Sequence, residues 1–261
     1  MQLIETEDNV GFLTASYIKN KIKAFVPSVE KPYFVLALPT GGTTIDLYKN
    51  LVRFNQENIL NFNNVATFNL DEYVALPTTH PQSYHSFMAH NLFDHIKINK
   101  EQINILNGNA ANLEEECLEY EQKIKKYGGI DLFIGGIGQN GHIAFNEPGS
   151  AFDSRTRIIG LTANTISANS RFFEGKTSLV PTRALTMGLG TIMEAKEVVI
   201  MATGPKKAEA LYHAFEDKPN TTWPITVLQK HPRAFIVADK FAAAEISSSI
   251  KRSCGVCSFL K

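Results

Sequence analysis

The chain has 261 residues and a mass of 29.0 kDa, room for one large α/β unit or two small domains. Apolar residues make up 44% and charged residues 20%, the composition of an ordinary folded chain that needs no disulfide or metal staple. Lys plus Arg and Asp plus Glu both number 26, which excludes a bulk positive field for holding nucleic acid or a polybasic membrane contact but leaves room for a local positive pocket.

The first eight residues, Met1 to Asp8, are acidic and lack the basic start and apolar stretch of a secretory signal. Glu7–Lys23 reads as an amphipathic helix. Tyr33–Leu38 is an apolar strand, far short of the ~18 residues that cross a membrane, so the expected compartment is the cytoplasm. Leu38-Pro39-Thr40-Gly41-Gly42-Thr43-Thr44 follows, opening a helix over Thr44–Phe54. Adjacent glycines let backbone approach an anion, and a helix start offers unpaired N–H groups. Three threonine hydroxyls add donors. The loop lacks the Gly-Lys-Ser/Thr of a nucleotide-binding P-loop and is scaled to one phosphate monoester.

Val65–Leu70 is the second strand, ending in Asp71-Glu72-Tyr73. Side chains alternate along a strand, so the two acids point to different sides and at most one serves as a general base. Ser83–Leu92 reads as a helix, and so does Asn112–Tyr127, with Asn112 as N-cap and Glu114, Glu115 and Glu116 in its first turn. The strand Ile130–Gly135 leads into Gly135–Gly149. Gly136-x-Gly138-x-x-Gly141 matches a dinucleotide fingerprint, but Asn146-Glu147-Pro148-Gly149 breaks the chain where a helix should run. What the loop presents instead is Asn140, His142 and Glu147, a histidine with a carboxylate partner suited to proton transfer.

Arg157–Leu161 is read as a further strand of the same parallel sheet, and the polar segment between Asn164 and Ser178 as a lid. The strand Glu197–Ala202 leads to Gly204-Pro205-Lys206-Lys207, a cationic start to a helix over Pro205–Phe215, and Ala234–Ala238 is the last strand. Alternating strands and helices imply a doubly wound, mostly parallel, Rossmann-like sheet flanked by helices, with residues 1–261 as one domain. In such sheets ligands bind beyond the carboxyl ends of the strands.

The remaining titratable residues carry less. His85, His90 and His95 recur every five residues and share no helix face, and His80, His213 and His231 have no evident partner. Cys117, Cys254 and Cys257 form no disulfide framework. Cys254-x-x-Cys257 has redox spacing but sits near the chain end with no second ligand pair, so both are read as ordinary thiols and no metal is expected.

Taken together these motifs resemble the glucosamine-6-phosphate deaminase (isomerase) family. The matching strings are Leu38–Thr43, Phe68–Val74, His80–Tyr84, Asn107–Ala110, Gly138–Pro148, Ser154–Arg157, Asn169–Phe173 and Ala184–Gly188, in order over about residues 1 to 240. The resemblance implies conversion of D-glucosamine 6-phosphate and water to D-fructose 6-phosphate and ammonia, a hydrolytic aldose–ketose isomerisation in amino sugar catabolism that uses no cofactor. It implies Asp71 as the base moving a proton between C2 and C1. His142 would assist ring opening with Glu147 orienting it, and Asn140 stands where many members place an Asp. Thr40, Gly41, Gly42, Thr43, Arg171 and Lys207 fall at substrate and phosphate positions, with Arg171 riding on the lid. The implied partner is this small-molecule substrate, neither nucleic acid nor membrane, with a homo-oligomer left open.

Some members are hexamers activated by N-acetylglucosamine 6-phosphate through a Ser pair and a Lys. Here those positions read Ser150-Ala151 and Ile159, so such activation is expected to be weak or absent. A 6-phosphogluconolactonase is the nearest rival on a similar sheet. A non-catalytic sugar-phosphate sensor is the rival from another class.

Overall fold

The computed structural model describes residues 1–7, 9–251 and 259–260. Cys254 and Cys257 lie outside the described residues. In chain order the elements are β1 (Gln2–Thr6), α1 (Val10–Ala24), β2 (Phe34–Leu38), α2 (Ile45–Gln56), β3 (Val65–Asn69), β4 (Asp71–Tyr73), α3 (Tyr84–Asn91), β5 (Ile103–Asn104) and α4 (Leu113–Lys126). There follow β6 (Leu132–Gly136), β7 (Arg157–Gly160), α5 (Ala163–Asn169), β8 (Arg183–Thr186), α6 (Leu189–Met193), β9 (Glu197–Ala202), α7 (Ala208–Glu216), β10 (Ala234–Asp239) and α8 (Ser248–Lys251).

Among the described residues seven strands form one sheet in the order β1-β10-β9-β6-β2-β3-β5, and every pairing in it is parallel. β2, β3 and β9 are buried at every position, because helices cover both faces. Val35, Ala37 and Phe68 face the core shared with α4, while Leu36 and Leu38 face the core built with α1 and α2. Continuous apolar runs are what such two-sided burial demands. The helices start where side chains satisfy their free N–H groups. Asn9 accepts from Phe12 N, Ser83 from Ser86 N and Asn112 from Glu115 N.

The chain leaves β2 toward β3 and β5 on one side and leaves β6 toward β9 and β10 on the other. The strand order therefore reverses between β2 and β6, and a crevice opens there at the strands' carboxyl ends.

A second sheet, β4-β8-β7, is antiparallel. It corrects the expectation that Arg157–Leu161 joins the parallel sheet. β7 is only partly buried. Ile158 packs against the main core and Ile159 against a separate aromatic cluster containing Tyr73 and Phe145. Two small apolar surfaces on opposite sides produce the same local text as one deeply buried strand. β1, β4, β5 and β8 are strands the sequence reading does not name; Asp71 and Glu72, read as the end of the second strand, belong to β4 of the second sheet. No helix among the described residues is long and apolar enough to cross a membrane.

Candidate active site

A cavity of about 620 Å³ opens at the switch point, within the usual range for a small-molecule site. Its lining includes the Thr40–Thr43 loop, Asp71, Asn140, His142, Arg171 and Lys207. Sequence-nominated residues from five separate stretches of chain thus meet in one space. Glu147 alone does not line it and stands behind Asn140.

The anion-side features come from three segments. Gly41 adopts φ 107°, a conformation side chains rarely take, and it has no neighbour where a Cβ would sit. The turn is closed by Thr44, whose N–H and hydroxyl both donate to Gly41 O at 3.1 and 2.8 Å. Lys207 lies at the last turn before α7, after Gly204 at φ 80°. Burial depresses the Lys207 pKa, and the neighbouring cations Arg171 and Lys206 depress it further. Mutually repelling cations at a glycine-rich loop are an arrangement that an anion relieves. Arg171 is exposed, with its guanidinium 4.6 Å from the Phe172 ring.

Asp71 is the first residue of β4 and is 7% exposed. Burial, assisted by the adjacent Glu72 charge, pushes its pKa up to about 8. Such a carboxyl is a weak acid and a correspondingly strong base, able to take up or release a proton near neutral pH. Glu72 points away, as alternation along the strand requires. It accepts from Tyr73 N, Tyr84 N and His85 N at 2.8 to 3.0 Å.

Asn140, His142 and Glu147 form a chain rather than a simple pair. Asn140 Nδ2 donates to Glu147 Oε2 at 2.6 Å, and Asn140 Oδ1 faces His142 Nδ1 at 2.7 Å. Glu147 Oε2 is 3.7 Å from His142 Nδ1, so its orienting effect passes mainly through Asn140. A carboxylate accepts only, which aims the amide NH2 at Glu147 and leaves the amide oxygen for His142. In its neutral form His142 therefore carries its proton on Nδ1, with the lone pair on Nε2. Burial alone would raise the Glu147 pKa, but the nearby His142 ring and the hydrogen bonds from Thr165 and Asn140 bring it down to about 2. Glu147 is an anchor with a fixed charge and does not exchange protons near neutrality.

The backbone of this loop is fitted to the histidine. A Cβ on Gly138 would lie 2.2 Å from the His142 ring. Ala144, which lines the cavity, holds φ 53° without being glycine, a strained conformation of the kind found at functional sites. No helix opens after Gly141, in line with the rejection of the dinucleotide fingerprint.

Sequence reasoning missed Tyr84, Gln82 and Thr165, which also line the cavity. Tyr84 sits in the matched string His80–Tyr84, but nothing in its type marks a site residue. Thr165 gives a local signal only as part of the cap in which its N–H donates to Thr162 Oγ1. His213 does have a partner, Asp217 at 2.8 Å, and stacks on Trp223. His231 Nε2 contacts Ala195 O at 2.8 Å. His80 stacks on Phe173.

Residues 5–236 match the family described as glucosamine-6-phosphate isomerases/6-phosphogluconolactonase. The chain is 56% identical over 241 residues to the glucosamine-6-phosphate deaminase of Borreliella afzelii (strain PKo), covering 92% of this chain and 90% of that protein. It is 58% identical over 232 residues to the glucosamine-6-phosphate deaminase of Fusobacterium nucleatum subsp. nucleatum, covering 89% and 84%. A solved monomeric glucosamine-6-phosphate deaminase superposes with a TM-score of 0.85 at 39% identity, over 94% of this chain and all of that one. The 6-phosphogluconolactonase of Thermotoga maritima shares the fold at TM-score 0.72 and 20% identity, over 92% and 99%.

Proposed function

The chain belongs to the glucosamine-6-phosphate isomerase/6-phosphogluconolactonase family, and from that membership and the deaminase relatives we infer its activity as a glucosamine-6-phosphate deaminase. It converts D-glucosamine 6-phosphate and water to D-fructose 6-phosphate and ammonia, a step of amino sugar metabolism.

The roles of individual residues follow from the chemistry. The Thr40–Thr43 loop, Lys207 and Arg171 take the phosphate, and this remote grip holds C2 against the reactive groups. His142 Nε2 takes the anomeric hydroxyl proton and hands it to the ring oxygen as that oxygen departs from C1, opening the pyranose to the aldehyde. Glu147, through Asn140, keeps the lone pair on Nε2. The Asp71 carboxylate then removes the C2 proton, and the electron pair moves to form the C1–C2 double bond while O1 takes up a proton. The resulting enolamine is protonated at C1 by the Asp71 acid, leaving a C2 imine. Water adds to that imine and ammonia leaves, giving the ketose. One carboxyl serves both proton transfers, which suits a group whose proton affinity lies near neutrality.

The observation that carries this reading is the buried Asp71, raised to about 8, on the same cavity as an anion-binding loop and a lone-pair-bearing histidine. The experiment is ammonia release from glucosamine 6-phosphate by the wild type and Asp71→Asn. The variant should bind substrate yet lose at least about two orders of magnitude in turnover, the scale of a general base. Near-normal turnover would remove Asp71 from that role. A sugar phosphate is charged and does not cross a bilayer unaided, which favours the cytoplasm as the working compartment. The assigned residues all come from one chain, a composition that a monomer or a homo-oligomer accommodates equally.

A further inference from the structure

Glu72 is a buried carboxylate that the chemistry above leaves unused. Its side chain is 2% exposed, yet every interaction it makes is polar. Oε1 accepts from Tyr73 N and Tyr84 N, while Oε2 accepts from His85 N and lies 2.8 Å from His85 Nδ1. The carboxylate thus joins β4 to the first turn of α3, where free N–H groups and the helix dipole favour a negative charge. Among the described residues His85 is its side-chain partner, and that ring is 30% exposed.

We propose that Glu72 and His85 form a positioning pair for the reaction: the locked Glu72 carboxylate sets the base strength of its neighbour Asp71, and His85 connects that setting to solvent. This rests on the reading of Asp71 as the base.

The two acids are consecutive on a three-residue strand, so their charges act on each other through buried protein, where screening is weak. Glu72 is the charge that, after burial itself, holds the Asp71 proton on. Its charge is met by neutral N–H donors and by one titratable ring. The His85 ring, donating to Oε2 at 2.8 Å, partly offsets the Glu72 field at Asp71.

Other groups near Asp71 supply no comparable lever. The facing strand β8 places Thr186 and Leu185 opposite Asp71 and Glu72. Tyr73, on β4 itself, is pushed up to about 12 by burial. Tyr48 on α2, Tyr84 on α3 and Tyr120 on α4 are held well above the ordinary range by burial, so all stay neutral. Across the cavity, His142 is held by Asn140, with Glu147 behind it. Lys207 and Arg171 line the same cavity with positive charge and act on Asp71 in every variant alike.

The pair also fixes position. Tyr84 lines the cavity and packs at a tilt against Tyr73, ring centroids 4.9 Å apart, and its backbone N–H is one that Glu72 holds. Loss of Glu72 would release the base strand and this tyrosine together.

The test compares wild type, Glu72→Gln and His85→Phe by the pH dependence of kcat/KM, together with a carboxyl-carbon NMR titration of Asp71 in the ligand-free proteins. Removing the Glu72 charge should move the acidic limb, and the Asp71 titration, down by about one pH unit. Removing the His85 donor while keeping the Glu72 charge should move both up by about half a unit. A purely structural role predicts lower kcat with no shift in either titration. Shifts of opposite sign support the pair, whereas unshifted curves, or shifts of the same sign, overturn it. If Glu72→Gln does not fold, His85→Phe decides alone, supporting the pair by an upward shift and overturning it by none. The NMR arm reads Asp71 without turnover, so failure of the base assignment, seen as an active Asp71→Asn, is distinguishable from failure of the pair.

Discussion

At Asp71, the proposed function and stability pull in opposite directions. The carboxyl has an ordinary value of 3.8 in the unfolded chain and about 8 in the fold. The native state therefore binds the proton more tightly, and the stability this contributes is complete below about pH 4 and lost as pH rises through about 8. Above that range the fold carries a buried charge beside the like charge of Glu72. Asp71→Asn cannot ionise and avoids this cost. Thermal melts should show the variant several degrees more stable than wild type near pH 9, with the gain shrinking toward pH 4. An equal difference at both pH values would mean that Asp71 is not titrating in the fold as described. Glu147 is the opposite case, a carboxylate lowered to about 2 by its hydrogen bonds, so its contribution is present above its ordinary value and lost only in strong acid. Two buried acids in one site are thus separated by their environments, one kept available for protons and the other kept charged.

The loop after β6 shows how an element turns glycines into geometry. Gly138 N donates to His142 O at 2.9 Å, and the missing Cβ leaves room for the His142 ring. Gly141, at φ 77°, would clash with Trp223 if it carried a side chain, and its carbonyl accepts from Ile225 N. Gly138→Ala should leave the fold intact but displace the imidazole from Asn140. Turnover of the cyclic substrate should fall by at least about tenfold, with a smaller loss on a pre-opened analogue, because only ring opening uses the displaced nitrogen. Equal losses on both would sever this loop from ring opening. Much of this was legible beforehand, since clustered glycines, a histidine and an acid on one loop after an apolar strand are readable from one sequence. The order Glu147–Asn140–His142 was not, because which atom meets which depends on how the loop folds back. β7 was misassigned for a related reason, as local apolarity does not say which core a strand will cover. Short edge elements such as β1 and β5 lack the long apolar run that marks β2 or β9.

At the scale of the molecule, the reversal of strand order between β2 and β6 gathers the reacting groups. The Thr40–Thr43 loop follows β2, Asp71 begins β4 just past β3, the His142 loop follows β6 and Lys207 follows β9. The second sheet carries Asp71 on β4 at one edge and Arg157 on β7 at the other, with β8 between them. A ligand bound near β7 would therefore have a short path to the base. The chemistry there is poorly suited to receiving one. Arg157 is engaged with Ser150 Oγ at 3.3 Å and Arg155 O at 3.4 Å. Position 151 is an alanine without a hydroxyl, and Ile159 is packed against the cluster holding Tyr73 and Phe145 instead of presenting a cation. An anionic effector at this edge would meet one guanidinium and little else, too weak a differential contact to shift a conformational equilibrium. Initial rates against glucosamine 6-phosphate should accordingly follow a hyperbola, and N-acetylglucosamine 6-phosphate should change neither its midpoint nor its shape. A sigmoidal curve that this compound straightens would show that the sheet transmits an effector signal through contacts other than those at positions 151 and 159.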